Sequence, residues 1–169
     1  MLVFDLESDG FVDDVTEIHC LVIHDTENNQ TMVFNDQAFK RSTGEPAKEP
    51  IVRGVQLLED SPCIAGHNII AFDLRVISKL YPWFKRDSGC VDTLLLSRCI
   101  HPNLIEVDKK RKFKHMPLQL YGRHSLEAYG HRLGEYKGSF GKTADWSEWS
   151  PEMEQYCKQD VVVTNKLCT

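Results

Sequence analysis

The feature that most constrains the fold is an apolar run at the start of the chain that carries two acidic residues. Residues 2–6 are mostly apolar and precede the turn-forming residues 8–10, so they predict a buried strand. Asp5 and Glu7 are two positions apart, and alternate strand residues point to the same face of a sheet. The two carboxylates repel each other unless a hard cation such as Mg²⁺ or Mn²⁺ lies between them. Two solvated acids at a strand end would give the same pattern.

Strands and helices then alternate in the pattern of an α/β domain. Strands over 17–24 and 31–35 should complete a three-strand meander, and 63–66 is a further short, buried strand. Helices are expected over 51–60, from Phe72 to Leu80, from Asp92 or Thr93 to about Ile100, from Ser125 to about Leu133, and from Ser150 to the chain end. A loop should cover 39–50 and a connector 134–149.

Size and composition fit one soluble, globular domain over residues 1–169, of which 41% are hydrophobic. No leader and no apolar stretch of about 20 residues is visible, so no membrane partner is expected and the location should be cytoplasmic, or the host cytoplasm if a phage encodes the chain. The six cysteines lack zinc-site spacing and should be reduced. A net charge of −5 does not indicate a nucleic-acid binder, but acids that bind cations would produce it without excluding DNA.

Basic residues crowd the range of about 103–124, which has little periodicity and is expected to be an exposed loop. Lys109, Lys110, Arg111 and Lys112 form its centre. Such a run either tracks a DNA backbone or is simply solvated. Both interpretations stay open.

Two further acids lie in positions that need an explanation. Asp160 falls within the apolar stripe of the last helix, one turn after Tyr156, so it should face the core unless the helical register is misjudged. A buried carboxylate needs a cation, hydrogen bonds or a raised pKa. Asp73 follows a strand and begins a helix, where an acid often only compensates the helix dipole.

Three short motifs occur in order along the chain. They are Asp5-Leu6-Glu7, Asn68-x(3)-Phe72-Asp73 and Tyr156-x(3)-Asp160. In type, order and spacing they resemble the DEDD superfamily of 3′→5′ exonucleases, in the subgroup with tyrosine in the third motif (DEDDy). The stretches 92–98, 122–135 and 156–164 look like the proofreading domain of the family A replicative DNA polymerases of short-tailed phages.

This resemblance implies a ribonuclease-H-like (DnaQ-like) mixed sheet flanked by helices, and a site with two Mg²⁺ (or Mn²⁺) ions. The four acids Asp5, Glu7, Asp73 and Asp160 would hold the ions, and Tyr156 would orient the attacking water. Tyrosine has a reference pKa near 10, so orientation suits it better than proton abstraction. Ser8, Asn68 and Phe11 would bind substrate. Phe11 would either stack on the terminal base or belong to the core.

The expected substrate is single-stranded DNA or a frayed 3′ end, cut for proofreading or for DNA degradation and repair. A polymerase domain follows in these relatives and is not recognisable here, so the chain is expected to be a stand-alone relative or an excised domain. Two alternatives remain. One is a 3′→5′ exoribonuclease of the same superfamily, and the other is a catalytically inert DNA-binding or interaction module.

Overall fold

A computed structural model describes residues 1–37, 49–86, 89–113, 115–135 and 145–169. Within this part of the chain, five strands form one sheet in the order β3-β2-β1-β4-β5. The strands are β1 (Leu2–Ser8), β2 (Ile18–Asp25), β3 (Gln30–Phe34), β4 (Ile64–Gly66) and β5 (Cys90–Asp92). The first three are antiparallel neighbours, which confirms the meander, and β4 and β5 add in parallel on the other side of β1. The first strand of the chain is thus the central one.

Helices cover both faces of this sheet, as the α/β prediction requires. They are α1 (Ile51–Asp60), α2 (Asp73–Leu80), α3 (Thr93–Ile100), α4 (Leu104–Arg111), α5 (Leu126–Leu133) and α6 (Pro151–Cys168), with a short 3₁₀ helix over Leu118–Leu120. On one face, Phe4 packs with Ile77 of α2 and the apolar side of α1. On the other, Val3 packs with Met153 of α6. Because side chains alternate along β1, its two acids leave the sheet on the α6 face.

Three of the expected helix starts are confirmed by side-chain capping bonds. The hydroxyls of Ser125 and Ser150 each accept a hydrogen bond from the backbone N–H three residues further on. Asp92, rather than Thr93, caps α3, since its carboxylate accepts from two N–H groups of the first turn. These bonds satisfy donors that a helix start otherwise leaves open.

The prediction of an exposed basic loop over 103–124 is wrong, because α4 and the 3₁₀ helix lie within that range. Leu104 and Asp108 are one turn apart on the buried side of α4. Leu104 packs beside Tyr129, and Asp108 forms an ion pair with Arg132 of α5. A buried face made of one apolar residue and one acid has almost no hydrophobic periodicity, so the pattern concealed the helix.

The remaining expectations concern ranges that are described only in part. Residues 39–48 of the expected loop and residues 136–144 of the expected connector lie outside the described residues. Among the described helices, none has both the length and the apolar character that crossing a bilayer requires.

Candidate active site

One cleft of about 590 Å³ collects the acids that the three motifs contain. Asp5 and Glu7 come from β1, Asp73 is the first residue of α2, and Asp160 comes from α6. Tyr156 lines the same cleft from one turn earlier on α6. Asp160 is buried, so the expected register of α6 is confirmed. Four carboxylates from three distant segments thus face one space.

The packing of α6 against β1 holds the first two acids in place. The thiol of Cys157 donates a hydrogen bond to the backbone oxygen of Asp5 at 3.3 Å. One ligand atom from each of Asp5, Glu7 and Cys157 lies within 4.8 Å of the others. Burial, with Cys20 and the two acids adding to it, raises the pKa of Cys157 well above its usual value. The thiol therefore keeps its proton and acts as a donor to Asp5, which leaves oxygen atoms as the available ligands.

Burial strongly perturbs the carboxyl group of Asp73 in this cleft. Its side chain is 3% exposed, and its Oδ1 has no hydrogen-bond partner among the described residues. Burial raises the pKa of Asp73 to about 7, with Asp92 and Asp160 adding negative charge, although two backbone N–H groups oppose the rise. An acid that only compensates the α2 dipole would lie in solvent. A buried carboxylate oxygen without a partner instead fits a bound cation.

A strained turn between β4 and α2 brings Asp73 into the cleft. Asn68 has φ of +67°, a left-handed conformation that asparagine tolerates better than most residues. Asp92 stabilises the turn, since its two carboxylate oxygens accept from the backbone N–H groups of Asn68 at 3.0 Å and Ile70 at 3.1 Å. Asp92 thus serves both this turn and the start of α3. Asn68 itself lines the cleft.

Positive and polar groups line the cleft together with the acids. Arg98 of α3, with Arg123 and His124 of the segment before α5, contribute to the wall. His124 Nδ1 lies 3.0 Å from Ser97 Oγ. Burial lowers the pKa of His124, and the nearby charges of Arg132 and Arg98 lower it further. This imidazole is therefore mostly neutral at pH 7, and the arginines carry the positive charge.

A buried ion pair fixes that wall. Arg132 donates to both carboxylate oxygens of Asp108, at 2.9 and 2.8 Å, and the backbone N–H of Gly122 donates to Asp108 at 2.7 Å. Burial pushes the pKa of Asp108 up, but the Arg132 and Gly122 bonds outweigh it, so the pKa lies below its usual value. Gly122 has φ of +74° and an added Cβ would lie 2.9 Å from Ile105. Asp108 thus anchors the segment that carries Arg123 and His124.

A second cavity of about 560 Å³ shares part of its lining with the first. Phe11, Phe72 and Trp146 give it an aromatic lining, and Ser8 lies at its edge. Phe11 is 79% exposed, so the interpretation of Phe11 as a core residue is wrong. The Ser8 hydroxyl donates to the backbone oxygen of Gly10 at 3.0 Å. Aromatic rings and the Glu7 carboxylate thus line the same cavity.

Not every predicted substrate residue lines these cavities. Lys109, Lys110, Arg111 and Lys112 form the last turn and end of α4, and none of them lines either cavity within the described part of the chain. Their contact with DNA stays a prediction. Sequence reasoning missed His67, Arg98, Arg123 and Trp146, all of which line the main cleft. Their positions follow from tertiary packing, and the pattern offered no signal for them.

Solved structures share this architecture. The chain aligns with the apo form of a nuclease at a TM-score of 0.62 and 18% identity, covering 99% of this chain and 69% of that one. It aligns with Escherichia coli Exonuclease I in complex with a 5cy-dT13 oligonucleotide at a TM-score of 0.57 and 18% identity, covering 98% of this chain and 39% of that one. The chain has the ribonuclease-H-like (DnaQ-like) fold that the resemblance implied.

A relative of higher identity is a phage polymerase. The chain is 31% identical over 190 residues to the DNA-directed DNA polymerase of Escherichia phage T7, a match that covers 99% of this chain and 26% of the polymerase. It spans about a quarter of the length of the curated relatives it matches. No family model matches the chain. The resemblance to a 3′→5′ exonuclease of the phage-polymerase kind is confirmed.

Proposed function

We propose that residues 1–169 form one exonuclease domain that hydrolyses DNA stepwise from its 3′ end and releases nucleoside monophosphates. The convergence of Asp5, Glu7, Asp73, Asp160 and Tyr156 on one cleft is the observation that carries this proposal. Kinship with phage DNA polymerases supports a nuclease that acts in proofreading or in DNA degradation and repair. A polymerase domain, covalently attached or separate, is the partner that this kinship favours.

The four acids would hold two Mg²⁺ or Mn²⁺ ions. The donor set fits these hard ions, because it offers carboxylate oxygens and a thiol that keeps its proton. The unpartnered Oδ1 of buried Asp73 supports the same assignment. When bound, such ions supply Lewis-acid chemistry: they acidify water and stabilise negative charge on phosphate oxygens.

The other residues of the cleft would bind and orient the substrate. Tyr156 presents its phenol beside the acids, where a hydroxyl positions water without having to ionise. The aromatic cavity with Phe11 and Phe72 would hold the terminal bases by stacking, which tolerates any base. Arg98 and Arg123 would bind the phosphates that lead into the cleft.

Labelled oligonucleotides test the activity. Single-stranded DNA and RNA of one sequence, labelled at the 3′ or the 5′ end, are incubated with Mg²⁺, with Mn²⁺ and with EDTA. The proposal expects immediate loss of a 3′ label, a ladder of shortened 5′-labelled DNA, and no cutting in EDTA. Cutting that persists in both Asp5→Ala and Asp160→Ala would refute it, and faster degradation of RNA would favour the exoribonuclease alternative.

Paired charge removals test the path of the DNA strand. Arg98→Ala/Arg123→Ala removes two positive charges from the cleft, and Lys109→Ala/Lys110→Ala removes two from the exposed end of α4. A plot of log affinity against log salt concentration has a negative slope. For a single strand, each phosphate that is no longer neutralised should reduce the magnitude of this slope by about 0.7. The magnitude of the slope should therefore fall by about 0.7–1.4 for the cleft pair, and an equal fall for the α4 pair would show that its lysines also contact DNA. The reverse result would place the strand along α4.

A further inference from the structure

His19 is a buried histidine that the motifs leave without a role. It lies on β2 with 1% of its surface exposed. The pairing of β1 with β2 changes register beside it, because Glu7 pairs with Cys20 while Ser8 pairs with Ile18. His19 is therefore the extra residue of a β-bulge next to the acids of β1. Bulges next to active sites commonly redirect a side chain.

The bulge directs the imidazole to the segment that precedes α6. His19 Nε2 lies 2.9 Å from the backbone oxygen of Trp146. A carbonyl oxygen only accepts, so Nε2 carries the proton and donates to it. On the other side of the ring, Glu17 Oε1 lies 3.4 Å from Nδ1. A buried side chain of β2 thus fixes the backbone position of Trp146.

Trp146 in turn contacts the proposed catalytic machinery. Its ring packs edge-on against the Tyr156 ring, with 6.2 Å between the centroids and 73° between the planes. It also lines both the main cleft and the aromatic cavity, together with Glu7 and Phe72. The position of this indole therefore affects both the direction of the Tyr156 phenol and the wall that the two cavities share.

We infer that His19 is a positioning residue of the nuclease site. Its bond to the Trp146 carbonyl holds the indole against Tyr156, and the indole holds the phenol in the direction that the reaction uses. This inference rests on the proposed exonuclease function. In this arrangement His19 acts on the reaction through Trp146 and not as a catalytic residue.

Kinetics of His19 variants test the inference. His19→Leu keeps a buried apolar side chain but removes the donor, and should lower kcat about 10–100-fold with little change in KM, because small misplacements of catalytic groups cost up to about 100-fold. His19→Gln places an amide N–H near the Nε2 position and should recover most of kcat. His24→Leu, on the same strand, is the matched control and should keep the wild-type kcat.

A double-mutant cycle separates positioning from a general loss of structure. In a Tyr156→Phe background, His19→Leu should lower kcat less than about 3-fold further, because the hydroxyl that it positions is already absent. An equal loss of kcat in both backgrounds would overturn the inference. Should His19→Leu unfold in the assay, His19→Asn replaces it, since this shorter amide does not reach the Trp146 carbonyl.

Fluorescence of Trp146 tests the link without any enzymatic activity. In a Trp83→Phe/Trp149→Phe background, Trp146 is the only tryptophan of the three in the chain. His19→Leu should shift its emission to the red and increase its quenching by acrylamide, and His19→Gln should not. Unchanged emission would overturn the inference. If the wild-type protein cuts no DNA but His19→Leu still shifts the emission of Trp146, the proposed function is refuted and the His19–Trp146 link stands.

Discussion

Replacing Asp73 by asparagine should stabilise the metal-free protein while it abolishes cutting. Asp73 is 3% exposed, and burial raises the pKa of its carboxyl from 3.8 to about 7. At about 1.4 kcal/mol per pKa unit, the difference between these values corresponds to at most about 4 kcal/mol of stability lost above pH 7. The amide avoids this cost, although a buried N–H without a partner would return about 1–3 kcal/mol of it.

The dependence on pH gives this prediction a definite sign. Because the pKa of Asp73 is raised by folding, the folded protein binds a proton more tightly than the unfolded chain does. The protonated Asp73 carboxyl group costs no stability below pH 3.8. The cost of ionising it in the folded protein then grows with pH until the pH passes about 7. Asparagine does not titrate, and the cost of its amide is the same at every pH. The free energy of unfolding of Asp73→Asn, relative to the wild type, should therefore rise by about 2–3 kcal/mol from pH 5 to pH 8.

Urea unfolding in EDTA across this pH range measures the difference. Asp13→Asn, at an exposed carboxylate, is the matched control and should follow the wild type at every pH. Millimolar Mg²⁺ should raise the stability of the wild type more than that of Asp73→Asn, because the ion binds only the folded state. A difference between Asp73→Asn and wild type that stays constant from pH 5 to pH 8 would refute the reasoning.

Three further substitutions test other parts of the molecule. Asp108→Asn leaves the buried Arg132 guanidinium without its carboxylate and should cost about 3–5 kcal/mol in urea unfolding. Gly66→Ala places a Cβ against the side chain of Ile69 and should cost about 1–3 kcal/mol, measured as a lower Tm. Phe11→Ala removes a 79% exposed ring and should weaken binding of single-stranded DNA by about 1–3 kcal/mol per stacked base, without changing Tm.

Matched variants show whether each effect has the stated cause. Adding Arg132→Met to Asp108→Asn should recover part of the stability, because the buried charge is then gone. Gly10→Ala should leave Tm almost unchanged, since a Cβ there meets only ordinary neighbours at 3.4 Å or more. Phe11→Trp should retain DNA affinity. A Gly66→Ala protein as stable as the wild type, or a Phe11→Ala protein with unchanged affinity, would contradict the corresponding reasoning.

Local signals in the sequence were sufficient for the elements that build the acidic side of the cleft. The apolar run around Asp5 identifies β1, and the serine at the start of α6 identifies a helix whose stripe includes Asp160. Strand alternation and helical periodicity then place each acid on a particular face. These rules operate within a few residues, so they need no knowledge of the three-dimensional neighbours.

The other parts of the site depend on neighbours that no local pattern reveals. Helix α4 is stabilised by the Asp108–Arg132 pair, which joins two helices and leaves no apolar stripe in the sequence. His19 resembles any other strand residue until the register change beside Glu7 is known. Arg98 lines the cleft only because the helix that carries it, α3, packs beside the cleft. The roles of α4, His19 and Arg98 therefore depend on tertiary contacts.

The central position of β1 has a consequence for how the protein is made. This strand is synthesised well before its parallel neighbour β4 and the helix α6, which both follow it along the chain. The bond from Cys157 to Asp5 closes 152 residues of chain. Contacts so distant along the chain slow folding, because a large loop must close before they form. A nascent chain would therefore carry the two acids of β1 without the rest of the acidic cleft until α6 has been synthesised.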